Sequence, residues 1–228
     1  MSKEKLVSIG VIILVVVAIG SLAVFGARKT SSSKISTVAD NVALVNGVPI
    51  TRATFKAQLT VSTTTLAAQG VPVTSADKLA EIKTQVLNDL INSELVSQGI
   101  TKDKIAVTAD EIETQFQNIL KQAGGAEQLK AQIAKINLTE VELRQNIAKQ
   151  LNIQKYLLKN VDISSATTTE AEIKKFYDDN TKSLKNPPSL KDVSDQIRQQ
   201  IIANKQQLLV NAFLSALRAG AEIKTYLQ

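Results

Sequence analysis

Hydrophobic and polar positions follow three different rhythms along this chain, and each predicts a different kind of element. From Leu6 to Phe25 no charged residue interrupts an apolar run, and twenty residues at about 1.5 Å each are long enough to span the hydrocarbon of a bilayer. Two short apolar runs, Val42 to Val45 and Val48 to Ile50, flank Asn46-Gly47, a pair that supplies the two positive-φ positions of a tight type I′ hairpin. Downstream the rhythm changes to spacings of three and four. Ile82, Val86, Leu87, Leu90, Ile91 and Leu95 fall on one helical face, with Gly99 as the expected stop. Ile112, Phe116, Ile119 and Leu120 form a second stripe that Gly124-Gly125 should end, and Ile173, Phe176 and Tyr177 mark another. The longest stripe runs from Leu190 through Val193, Ile197, Ile201, Leu208, Leu209, Phe213, Leu214 and Leu217 to Gly220.

The starts of these helices are written as sharply as their faces. Thr108 with Glu111, Thr139 with Glu142, and Thr169 with Glu172 each have the spacing of a capping box, in which a threonine hydroxyl and a glutamate carboxylate satisfy two otherwise orphaned backbone N–H groups. Val107 with Ile112 and Leu138 with Leu143 add the apolar staple that often accompanies it. Ser189, after Pro187-Pro188, is the expected N-cap of the last helix. Beyond Gly220, residues 221 to 227 read AEIKTYL, a short strand. An isolated hairpin is marginal in water, so this strand is expected to pair with the Asn46-Gly47 hairpin and cover its open edge.

The leader divides into residues 1–5, short and basic; 6–25, a transmembrane anchor or uncleaved signal; and 26–40, a flexible polar tether. A cleaved signal peptide would have an apolar region of about 7–15 residues ending in small residues; this run is longer and Phe25 stands near its exit, which favours an uncleaved anchor. Positive charge does not choose an orientation, because Lys3 and Lys5 precede the run and Arg28, Lys29 and Lys34 follow it. At 228 residues, 44% hydrophobic and 21% charged, the chain has enough apolar content to bury a core.

Candidate chemistry is sparse. The chain has no histidine and no cysteine, so Ser-His and Cys-His pairs, histidine acid–base work and the usual zinc sites cannot be built, and no cofactor is expected. Asp178-Asp179 reads as a solvated helix end and Asp110 beside Glu111 as capping chemistry, since adjacent residues do not share a helix face. Gly124-Gly125 lacks the spacing that cradles a phosphate. A net charge of +6 is spread among acids with no basic cluster interleaved with aromatics, which argues against a nucleic-acid partner.

The order of the pieces carries a resemblance. VALVNGVPIT, then a helix ending LINSELVSQGI, then VTADEIETQF, then LTEVELRQNIAKQLNIQKYLL resembles the N-terminal chaperone domain of the SurA and PrsA family of extracytoplasmic folding factors. The tail PSLKDVSDQIRQQIIANKQQLLVNAFLSALRAGAEI looks like the long helix and closing strand of that family. In its isomerase members a parvulin-type prolyl isomerase domain, which relies on histidines, lies between segments similar to EIKKFYDDN and PPSLKDVSDQIRQQI. Here only Thr181 to Asn186 separates them.

The resemblance implies a mostly α fold, with a small β-sheet made from the N-terminal hairpin and the C-terminal strand, over residues 41–228, the parvulin insertion being absent at 181–186. It implies an extracytoplasmic holdase, not an enzyme, whose partners are unfolded or secreted client polypeptides; the apolar run adds the plasma membrane as a partner through residues 6–25. Phe55, Leu59, Phe116, Tyr156 and Phe176 are candidate client-lining positions, although an apolar residue at helical spacing is more often core. Two alternatives stay open: a foldase with residual isomerase activity, and a membrane-tethered docking domain for one envelope partner.

Overall fold

The computed structural model of the chain describes residues 40–227. The leader, including the apolar run 6–25, lies outside the described residues, and no described helix is long and apolar enough to cross a membrane. The described residues form a mostly helical fold with seven α-helices and one small sheet.

The hairpin forms as its sequence predicts. β1 (Asn41–Val45) and β2 (Val48–Thr51) pair antiparallel, and the turn places Asn46 at φ 49° and Gly47 at φ 80°. β3 (Ile223–Thr225) lies antiparallel on the other side of β1, with Ala43 opposite Thr225 and Val45 opposite Ile223. The strand order is therefore β2-β1-β3, and β1 is a central strand although its sequence neighbour covers only one edge. Asn46 does more than turn the chain: its N–H donates to the Glu222 carbonyl at 2.8 Å, its Oδ1 accepts from the Glu222 N–H at 2.8 Å, and its Nδ2 donates to Gln98 Oε1 at 2.8 Å.

The helices are α1 (Arg52–Ala68), α2 (Ala76–Lys102), α3 (Ala109–Ala123), α4 (Ala126–Lys135), α5 (Glu140–Asn160), α6 (Glu170–Thr181) and α7 (Leu190–Ala219). All three predicted capping boxes are present, at the starts of α3, α5 and α6, and Ser189 caps α7 by accepting from the Asp192 N–H. Gly124, in the left-handed region, closes α3 as expected. Gly99 does not end α2, which continues to Lys102. Its lack of a side chain serves packing instead: an ideal Cβ there would lie 2.1 Å from the Tyr156 hydroxyl oxygen.

Three apolar clusters hold these elements. In the first, Val42, Val45 and Ile50 of the sheet and Phe55 of α1 meet the stripe of α2 from Ile82 to Leu95, with Leu217 and Ile223 packed alongside. Fully burying side chains of this size contributes about 1.5–3 kcal/mol each. The second joins Val96 of α2 to Tyr156 and Leu157 of α5 and Val210 and Leu214 of α7; the Tyr156 and Phe213 rings lie 5.7 Å apart at 55°. The third sits away from the sheet, where Phe116 of α3, Leu129 of α4 and Ile147 of α5 pack together.

Two lysines pin the starts of α3 and α6. Lys155 Nζ donates to Glu111 Oε2 at 2.7 Å and to the Ala106 carbonyl at 3.0 Å, and Lys205 Nζ donates to Glu172 Oε1 and to the Thr167 carbonyl, both at 2.7 Å. α6 packs along α7, and residues 182–189 join them directly, with the Tyr177 hydroxyl donating to the Pro188 carbonyl at 2.7 Å.

Candidate functional site

The first turns of α3 lie against α5, and the two helices do not fill the space between them. The alanines Ala109 and Ala148, with Ile112 and Val141, leave a shallow, open groove of about 470 Å³. Its remaining lining is Asp110, Glu113, Arg144 and Gln145. Val141, at the rim, is 65% exposed. A groove of this kind has no close partner for its apolar lining, and the lining gains dispersion contacts and loses water when a peptide covers it.

Local chemistry fixes the polar edge. The capping box at Thr108 sets the start of α3, so Ala109, Asp110, Ile112 and Glu113 all lie in its first turns; the box at Thr139 does the same for Val141 and Arg144 of α5. Arg144 crosses between the two helices. Its Nε donates to Glu140 Oε1 at 2.9 Å, its Nη1 to Glu113, and its guanidinium carbon lies 3.8 Å above the Phe116 ring centroid. These carboxylates raise the Arg144 pKa, while the Gln117 amide and then Arg144 hold the Glu113 carboxyl below its ordinary range. The edge stays charged at any physiological pH.

The sequence-predicted lining residues occupy other places. Phe55 is buried in the first cluster, Tyr156 in the second and Phe116 in the third, each leaving about 5% or less of its surface to solvent. Leu59 packs against the first cluster, and Phe176 on α6 is half-buried. The structure does not bring these five into one surface. Phe116 alone touches the groove's edge, from beneath, through Arg144. Among the groove residues Ile112 has a sequence signal, the apolar stripe of α3. Ala109, Val141 and Ala148 have none. The buried amide oxygens Gln58 Oε1 and Gln206 Oε1 have no hydrogen-bond partner, but neither residue lines the groove. Among the described residues no group of three or more histidine, cysteine, aspartate or glutamate side chains is placed to hold a metal.

A family model for the SurA-like N-terminal domain matches residues 1–157. No curated protein matches the chain. Nine solved chains match it. One comes from the work describing the virulence factor PEB4 and the periplasmic protein Cj1289 of Campylobacter jejuni as structurally related SurA-like chaperones. That match has a TM-score of 0.53 at 15% identity, covering 82% of this chain and 99% of the other, and shows a shared fold.

Proposed function

The chain belongs to the SurA-like N-terminal domain family, and from that premise we propose that it is a chaperone of the holding type, tethered to the plasma membrane through residues 6–25 and working on its extracytoplasmic side. Its clients are unfolded or newly translocated polypeptides. The observation that carries this reading is the open apolar groove between α3 and α5, with Val141 largely exposed at its rim. Unfolded chains expose apolar side chains, and a shallow groove binds them weakly enough to let them go. Binding the unfolded state lowers the concentration free to aggregate, and a tether near the membrane raises the effective concentration beside emerging clients.

Prolyl isomerase catalysis is not part of the proposal. α6 and α7 are joined by residues 182–189, where the isomerase relatives carry a parvulin domain, and the chain has no histidine. Holding and release then run on client folding, with no energy input.

The full chain in nanodiscs should suppress the aggregation of several unrelated unfolded proteins, empty nanodiscs being the reference, without speeding a proline-limited refolding reaction. Val141→Glu alters an exposed position, so stability should stay within about 0.5 kcal/mol of the parent, and suppression should fall at least threefold. Failure with every client, or full suppression by the Val141→Glu chain, removes the groove from this role. Faster proline-limited refolding would restore the isomerase reading.

A further inference from the structure

We infer that the α3/α5 groove selects apolar client segments that carry a lysine or arginine beside their apolar residues. The inference deepens the chaperone reading and rests on it. The chain is basic overall, at +6, yet the polar edge of this groove is acidic. Asp110 and Glu113 line it, and Glu140 joins them through Arg144, so three carboxylates meet one guanidinium, a local net charge of −2.

Arg144 is already committed. Both of its ion pairs lie at this edge and its flat face covers Phe116, which leaves it little capacity to greet an acidic client. Asp110 is exposed and has no ion-pair partner among the described residues. A client lysine or arginine fits the combination on offer: its methylene stem can lie along Ile112, Val141 and Ala148 while its charged head reaches Asp110. A glutamate in the same place would meet net negative charge, with no unpaired cation among the described lining residues. Complementarity of this kind sets specificity and encounter more than raw affinity, which suits a site that must release what it holds.

The test uses three fluorescent twelve-residue peptides with one apolar centre, flanked by lysines, by serines or by glutamates, and the full chain in nanodiscs of zwitterionic lipid. A single exposed ion pair is weak; with Asp110 the one unpaired carboxylate among the described lining residues, the lysine-flanked peptide should bind about threefold more tightly than the glutamate-flanked one at low salt. Screening at high ionic strength should shrink that ratio. Asp110→Lys should bring the ratio to unity or below while keeping the serine-flanked peptide bound, and a photoreactive group on that peptide should crosslink to α3 or α5.

If the serine-flanked peptide binds and the three peptides do not rank by charge, or if Asp110→Lys leaves the ranking intact, the inference fails and the chaperone reading stands. If no peptide binds and no unfolded protein is held, both fail together. Crosslinks away from α3 and α5 move the site and overturn the inference. Concentration-dependent self-association that Val141→Glu abolishes, with no peptide bound, would assign the groove to a second copy of this chain.

Discussion

An ideal Cβ at position 99 would lie 2.1 Å from the Tyr156 hydroxyl oxygen and 2.3 Å from its Cζ, and no real pair of atoms tolerates that approach. Glycine inside a helix ordinarily costs about 1 kcal/mol relative to alanine, so Gly99→Ala should stabilise α2 if the backbone were all that mattered. Tyr156 is buried and packed against Phe213 and cannot swing aside, and overpacking of this kind costs about 1–3 kcal/mol. Gly99→Ala is therefore expected to lower stability in denaturant melts, yet to raise it when made in a Tyr156→Leu background. The same sign in both backgrounds would refute the steric account. Residues such as this one mark a limit of reading the letters alone: a glycine near the end of an apolar stripe looks like a stop, and only its distant neighbour reveals that it is a seat. The candidate lining residues Phe55, Phe116 and Tyr156 went the same way, because large apolar side chains fill cores first.

The starts of the helices were legible because a capping box is complete within four residues of sequence. The lysines that pin two of those starts were not, since Lys155 is 44 residues from Glu111 and Lys205 is 33 from Glu172. The groove was hidden for the same reason, being made where residues 109–113 meet 141–148, with alanines that carry no periodic signal. The pin on α6 has a measurable signature. Lys205, then the Thr169 N–H, holds the Glu172 carboxyl down from 4.5 to about 2. A carboxylate whose folded pKa is depressed stabilises the fold above its unfolded value, near 4.5, and loses that contribution as pH falls toward 2. Lys205→Met should raise the Glu172 titration midpoint in carboxyl NMR toward its ordinary range and flatten the loss of stability between pH 4.5 and 2. A midpoint that stays near 2 would assign the shift to the capping box alone.

On the scale of the whole molecule, the two ends of the described chain are joined in one sheet, and the helices between them are closed into a loop by it. Closing that loop cost chain entropy during folding, and the compensation is concentrated in few residues: the β1/β3 ladder, the Tyr226 N–H donating to the Val42 carbonyl at 2.8 Å, and the Asn46 hydrogen bonds to Glu222. Pairing of the last strand with the first hairpin was legible because the edge of β1 had to be covered and AEIKTYL was the remaining strand-like segment. Each backbone hydrogen bond contributes about 0.5–1.5 kcal/mol net, and in a domain of this size 1 kcal/mol moves Tm by about 2–4 °C. Removing residues 221–228 should therefore lower Tm by about 5 °C or more and speed hydrogen exchange of the β1 amides, which lose their cover on that side. Asn46→Gly keeps the positive φ of the turn and deletes only the side-chain bonds to Glu222 and Gln98, so it should give a smaller fall in the same direction, with exchange rising first at Val45 and Glu222. An unchanged melt in the truncated chain would mean that the helices hold the fold unaided and that β3 only shields an edge.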